Sequence, residues 1–379
     1  MLSNYLAKLL LALPTSVLMT KSLVVIANHY GWVARPKADR WHQKPTALYG
    51  GIAIVVTIIM GLLILGPGFW PEKKYDLLSL LVGGGLIFAI GLWDDIRALN
   101  PLVKLVGQVI SCTVFLAGIG LAHIADHGLI FLLSLPVALL WMLGLTNSFN
   151  LLDNMDGLSA GTATIASGVL SVFLFLSGYT QTSLISALIS ASCLGFLFFN
   201  FRPKGSAHIF MGDCGSMFLG FMLAGLSIIT SWSHASRGWY VLAIPLLIMA
   251  LPIFDTTLVT ILRKREGRSI SQGGKDHSSH RLVYAGLNEK QAVLLLLGIA
   301  GISGGSSLLI WKFSQSSLAV LLVAAFTLGL IKFGAFLSHY SQNSQAEREA
   351  TISGDGDRSI NSEKIRPVEG MPFFSSSSR

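Results

Sequence analysis

Charge is what this sequence has least of. Only 12% of its 379 residues are Asp, Glu, Lys or Arg, about half the usual share of roughly 25% in soluble domains. A chain so poor in charge is not an ordinary water-soluble domain. Short segments of alternating hydropathy are missing too, which argues against a transmembrane β-barrel. Cysteine is nearly absent. Cys112, Cys193 and Cys214 stand far apart, in or beside apolar segments, so there is neither a disulfide framework nor a CxxC metal pattern. No repeat of the solenoid type is found.

Apolar residues take up the space that charge leaves. They make up 52% of the chain, and the mean hydropathy is +0.65. Runs of about 20 apolar residues recur, the length of a bilayer-crossing helix. The expected fold class is therefore all-α, a polytopic helical bundle in a membrane. About eleven spans of that length are expected, at 5–27, 47–67, 77–93, 102–122, 129–146, 158–177, 182–200, 214–231, 239–262, 291–311 and 317–338. The stretch from Leu6 to Ala27 is too long for a signal peptide and lacks a cleavage region, so it reads as the first span.

Lys and Arg mark the cytoplasmic loops of such proteins. Arg35, Lys37, Arg40 and Lys44 follow the first span, Arg202 and Lys204 the seventh. Arg263, Lys264, Arg265, Arg268, Lys275, Arg281 and Lys290 follow the ninth. This places the N-terminus outside and the C-terminus in the cytoplasm. The formal net charge of +8 then follows from topology and gives no reason to expect nucleic acid. Residues 1–340 form the expected transmembrane domain. Residues 341–379, polar and without helical periodicity, are expected to be a flexible cytoplasmic tail.

The few acids gather at span ends on that same face. In GLWDDIRALNPLVK (91–104), Asp94 and Asp95 end one span and Lys104 opens the next. Neighbouring side chains on a helix diverge by about 100°, so the two acids are expected to divide their roles. One handles a proton or a metal, and the other fixes geometry. A merely solvated pair is disfavoured, because acids at a helix C-terminus oppose the helix dipole. In NSFNLLDNMDGLSAG (147–161), Asn147, Asn150, Asp153 and Asp156 recur every three residues. That register makes a stripe of hard oxygen donors suited to Mg²⁺ or a nucleoside. In HIFMGDCGSMFLG (208–220), Asp213 lies between Gly212 and Gly215 at a helix start. Small residues and free amides there favour phosphate, and an acid facing phosphate calls for a divalent cation between them. A plain N-cap is the competing reading. In GRSISQGGKDHSSHRL (267–282), His277, His280 and Arg281 offer donors to a pyrophosphate. Lys44, in WHQKPTALYGG (41–51), is a further phosphate or base contact. Asp255, inside the ninth span, is expected to face the bundle interior or water and support the site.

In combination these motifs resemble the polyprenyl-phosphate N-acetylhexosamine-1-phosphate transferases, over roughly residues 1–340. The matching elements are Asp94, Asp95 and Lys104; NxxNxxDxxDG from Asn147 to Gly157; MGDxGS from Met211 to Ser216; and a His loop ending His280-Arg281-Leu282. The loop looks more like the WecA-like and TagO-like branch than the phospho-MurNAc-pentapeptide branch. Two departures stand out. Ser279 takes the place of the middle His of an H-x-H-H pattern, and PTALYGG stands where a PTP and Gly-rich run is common.

The resemblance implies transfer of a sugar-1-phosphate from a UDP-N-acetylhexosamine, GlcNAc first, to undecaprenyl phosphate. The products are undecaprenyl-pyrophosphate-sugar and UMP, the first membrane step of a cell-envelope polysaccharide. It implies catalytic roles for Asp94, Asp95, Asp153, Asp156, His277 and His280. It implies substrate or phosphate binding by Lys44, Lys104, Asn147, Asn150, Asp156 and Arg281. Asp213, Asn150 and Asp153 would ligate Mg²⁺, with Mn²⁺ a substitute. Direct attack on the β-phosphorus is preferred to a phospho-Asp intermediate. Expected partners are the two substrates and membrane lipids, with a homodimer left open, in the bacterial inner membrane with the site on its cytoplasmic face. Among rival classes, an intramembrane aspartyl protease needs Gly where Phe210 stands. A CDP-alcohol phosphotransferase needs an Arg that DGLSAG lacks. A transporter would place charge at the midplane and show inverted repeats.

Overall fold

The computed structural model describes residues 7–34, 45–66, 69, 74–127, 129–202, 204–233, 239–269, 274–313 and 316–340. Lys44 and the 341–379 tail lie outside them. The elements in chain order are α1 (Ala12–Tyr30), β1 (Val33–Ala34), β2 (Thr46–Ala47), α2 (Gly50–Leu65), α3 (Lys74–Ile96), α4 (Pro101–His127) and α5 (Leu129–Leu152). There follow α6 (Leu158–Leu176), α7 (Thr180–Asn200), α8 (Asp213–Ser233), α9 (Ala243–Ile248), α10 (Ala250–Arg265), α11 (Ser278–Tyr284), α12 (Glu289–Phe313) and α13 (Ser316–Ser338). Nine helices among the described residues are long and apolar enough to cross a membrane. The chain is a multi-pass, all-α membrane protein.

Three expected spans differ in detail. The one at 239–262 is not a single helix. A 3₁₀ turn at Trp239–Leu242 leads into α9, and Met249 separates α9 from α10. Pro252 explains the break. It has no N–H to give the carbonyl of Ile248, and its ring crowds that carbonyl. The span expected from residue 47 starts at Gly50, because Thr46 and Ala47 pair antiparallel with Ala34 and Val33. Tyr49 then turns the chain in the left-handed region at φ 66°. The span expected to end at 146 continues to Leu152, so Asn147 and Asn150 sit on a helix.

At the centre stands α8. Beyond its first turn its side chains are mostly apolar and buried on every side; Cys214, Met217, Leu219, Phe221, Met222, Leu223 and Leu226 are all fully buried. An all-round apolar helix belongs inside a bundle. Glycines let neighbours reach its backbone. A Cβ on Gly91 of α3 would lie 2.7 Å from the Asp213 carbonyl oxygen, and one on Gly220 of α8 would lie 2.6 Å from that of Leu145. Gly51 of α2 meets Gly215 in the same way. Close backbone approach through small residues is the usual packing device where no hydrophobic force acts between helices. By contrast α13 leaves Leu321, Leu328 and Ile331 exposed, as a lipid-facing helix does.

A serine ladder joins α6 to α7. Ser171 and Ser183 each donate to the other's carbonyl at 2.9 Å. Ser186 donates to Ser167 O at 2.8 Å and Ser190 to Thr164 O at 2.9 Å. Ser16 of α1 donates to Ser192 O at 2.6 Å, tying a third helix to the pair.

Candidate active site

Two successive acids end α3, and their side chains part. Asp94 Oδ1 accepts the Leu99 N–H at 2.6 Å, which folds the short connection to α4. Pro101 opens α4, where its missing N–H costs nothing. Lys104, one turn in, then reaches back so that its Nζ donates to Asp94 Oδ2 at 2.8 Å. The same ammonium donates to Asn150 Oδ1 of α5 at 3.2 Å and to Asp213 Oδ2 of α8. Four elements thus converge on one cation. Asn150 completes the cluster by donating from Nδ2 to Asp213 Oδ1 at 2.9 Å and to Ser216 Oγ at 3.1 Å.

Asp95 turns the other way and caps α8. Its Oδ1 accepts the Asp213 N–H at 2.8 Å and its Oδ2 the Cys214 N–H at 3.0 Å. Helix N-termini leave such donors unmet, and here a carboxylate from another helix meets them. Gly212 makes room. Its φ is 77°, and a Cβ there would lie 2.6 Å from Asp95 Oδ2. Gly212→Ala is therefore expected to combine left-handed strain of about 1–3 kcal/mol with loss of the cap. A lowered thermal midpoint in detergent would register it; an unchanged midpoint would contradict the close approach.

The turn after α5 supplies the remaining acids. Asp153 is half-buried. Burial, then the charges of Asp213, Asp95 and Asp156, push its carboxyl up to about 8. Asp156 Oδ2 accepts the Ala207 N–H at 2.9 Å. Asn200, not singled out from the sequence, holds both sides of this corner. Its Oδ1 accepts the Gly157 N–H at 2.7 Å and its Nδ2 donates to Ile209 O at 2.9 Å. An Asn closing an apolar run was the available signal. Segment 208–211 is in turn strapped to the start of α2, with the Gly50 and Gly51 N–H groups on Phe210 O and Met211 O at 2.8 Å. Asn147 does not join the Lys104 cluster. It exchanges a reciprocal amide pair with Gln108 of α4, at 2.8 and 3.1 Å.

The His segment forms α11 instead of an open loop. Asp255, fully buried in α10, accepts His277 Nδ1–H at 2.7 Å. It also accepts the Ser278 N–H and hydroxyl at 2.8 and 2.6 Å. His280 is buried; burial first, then the neighbouring His277, lower it to about 3, so its imidazole is neutral. Arg281 is buried with its guanidinium on carbonyls. Nε donates to Asp276 O at 2.9 Å and Nη1 to Tyr340 O at 2.6 Å. It braces the end of α13 and is not brought to the Lys104 cluster. Asp276 is held below the ordinary carboxylate range by Arg268 and Arg263. Ser279 Oγ donates to Asn154 Oδ1 at 2.7 Å, which links α11 to the Asp153–Asp156 turn.

Among the described residues, no group of three or more His, Cys, Asp or Glu side chains forms a ready metal site. The residues nonetheless fit a hard cation. Asp94 Oδ2, Asn150 Oδ1 and Asp213 Oδ2 already surround one ammonium. Oxygen donors of this kind suit Mg²⁺. Asp94 and Asp213 alone set two carboxylates against the single ammonium they hold.

The description glycosyl transferase family 4 matches residues 77–231, which contain all of these acids except Asp255 and Asp276. The chain is 31% identical over 293 residues to a probable undecaprenyl-phosphate N-acetylglucosaminyl 1-phosphate transferase of Bacillus subtilis, covering 76% of this chain and 79% of the relative. It is 32% identical over 343 residues to a decaprenyl-phosphate N-acetylglucosaminephosphotransferase of Mycolicibacterium smegmatis, covering 81% and 83%. A phospho-N-acetylmuramoyl-pentapeptide-transferase of Shouchella clausii is 32% identical over 249 residues, covering 59% and 74%.

Proposed function

The chain belongs to glycosyl transferase family 4, the polyprenyl-phosphate sugar-1-phosphate transferases, and from that premise we propose that it transfers N-acetylglucosamine 1-phosphate from UDP-GlcNAc to undecaprenyl phosphate. The products are undecaprenyl-pyrophosphate-GlcNAc and UMP. The convergence of Asp94, Asn150 and Asp213 on one cation carries this reading. GlcNAc is favoured because the relatives named for it match 76% and 81% of this chain. The pentapeptide transferase, matching 59%, marks the second reading, a phospho-MurNAc-pentapeptide donor.

Two anionic phosphates must meet, so neutralising charge is the main task. Asp213, Asn150 and Asp153 would hold Mg²⁺, with Asp94 beside them. When bound, that ion screens the pyrophosphate and the charge developing on the UMP leaving group. Lys104, freed from the carboxylates, would take a phosphate oxygen. The polyprenyl phosphate oxygen attacks the β-phosphorus, a P–O bond forms, and the bond to the UMP oxygen breaks. A phosphate monoester with a second pKa of about 6 is already a dianion at neutral pH, so no strong base is required of Asp94. Asp156 would face the nucleoside, and His277 the phosphates through the nitrogen that Asp255 leaves available.

The reading includes the eleven-span topology, with the N-terminus outside. The site then lies on the cytoplasmic face of a bacterial inner membrane, where nucleotide sugars are found. The positive loops support this. Purified protein in detergent, given undecaprenyl phosphate, Mg²⁺ and a panel of UDP-N-acetylhexosamines, is expected to release UMP with UDP-GlcNAc and to stop with EDTA. Folded protein that releases no UMP from any donor would overturn the proposal.

A further inference from the structure

The segment His277–His280 is held at two points from opposite sides. Asp255 takes His277 and Ser278 from α10. Ser279 takes a different partner, its hydroxyl crossing 125 positions of chain to Asn154 Oδ1 at 2.7 Å. Asn154 is itself fixed, because its Nδ2 donates to Leu151 O at 2.8 Å, at the end of α5. Ser279 is fully buried. A buried hydroxyl in this place is valuable mainly through its bond, since an unmet partner left in a dry site costs more than the bond gains. Asn154 adjoins Asp153 in the turn. The Ser279 bond therefore ties that turn to the segment carrying His277, which precedes α11, and His280 within it, whose ring centroids lie 5.8 Å apart.

We propose that Ser279 and Asn154 are a positioning pair that docks the His277–His280 segment onto the Asp153–Asp156 turn. The nucleotide-sugar donor then meets the two as one preassembled wall. This rests on the reading above, in which both segments face the donor. Neither residue touches the reacting phosphates. The bond is neutral, directional and short, so a Thr hydroxyl preserves it and Ala removes it. A histidine in Ser279's place would need more room than a fully buried serine leaves.

The test compares Ser279→Ala, Ser279→Thr, Asn154→Ala and the Ser279→Ala/Asn154→Ala double variant. Two readouts serve: backbone hydrogen exchange across 277–284 without substrates, and steady-state UMP release. Ser279→Ala is expected to speed exchange in that segment and to raise the donor KM about fivefold, the worth of one net hydrogen bond. The KM for polyprenyl phosphate stays unchanged. Ser279→Thr restores both readouts, and the double variant is no worse than either single one. Unchanged exchange or additive single effects would overturn the pair. So would faster exchange with an unaltered donor KM, which would leave only a structural brace. If the wild-type protein releases no UMP, the functional reading has failed; the exchange and the double-variant comparison still decide whether the tie exists, and a donor role for it is then overturned.

Discussion

Asp213→Asn is expected to abolish UMP release, by about 10³-fold or more, in a protein that still inserts and folds. Asp213 is where the cluster's contacts meet. One oxygen accepts from Lys104 and the other from Asn150. Asn keeps the shape and removes the charge. Whichever way its amide points, an N–H₂ faces either the Lys104 ammonium or the Asn150 amide, donor against donor. The loss is expected in the transition state: a charged ligand to the proposed cation is worth several kcal/mol where charge develops, and about 4 kcal/mol corresponds to roughly 10³-fold in rate. The side chain is 32% exposed, so folding suffers less than turnover. Matched measurements of thermal midpoint and UMP release check this. Activity within tenfold of wild type would remove Asp213 from the proposed metal site.

Asp95→Asn is expected to fail differently, losing stability along with rate. Two N–H groups of α8 end on the two oxygens of Asp95, and an amide offers one oxygen for both. The orphaned donor costs about 1–3 kcal/mol, and the start of α8, with Asp213 on it, shifts. A fall in thermal midpoint together with roughly 10²-fold slower turnover is the expected pair of results. Raising the pH is not expected to restore the rate, because both Asp95 oxygens are engaged by the α8 amides. Asp94→Asn also loses an acceptor, for the Leu99 N–H or for Lys104, so its midpoint falls as well and the pH response of the rate distinguishes the two acids. Recovery of Asp95→Asn at alkaline pH would give Asp95 the proton role instead.

Much of this architecture can be read from the chain because apolar runs of bilayer length announce themselves. The helix boundaries at 158, 200 and 213 fall within a residue of the polar punctuation beside them. Polar residues that stay helical are harder. Asn147 looks like the end of a span, yet its amide bonds Leu143 O at 2.8 Å and pairs with Gln108, so α5 runs on. The sequence places Asp94 and Asp95 on diverging sides but does not say which faces which partner. Their partners come from residues 104 and 213–214, and that pairing belongs to the packing. Arg281 shows the limit most plainly. Its position in a basic, His-containing loop suggests phosphate, whereas its guanidinium lies on main-chain carbonyls. Asn154 is harder still, an unremarkable polar residue until the turn and α11 come together; Ser279 stands out in the sequence as a departure from a His pattern, but its partner does not.

The serine ladder has a consequence for movement. Its rungs join hydroxyls on one helix to carbonyls on the other, and a slip of α7 by one turn along α6 would strip them all together. In a hydrocarbon surround no water replaces what is lost. The two helices therefore travel as a single rigid body. Any relative movement of helices in the bundle then costs least somewhere other than the α6–α7 contact.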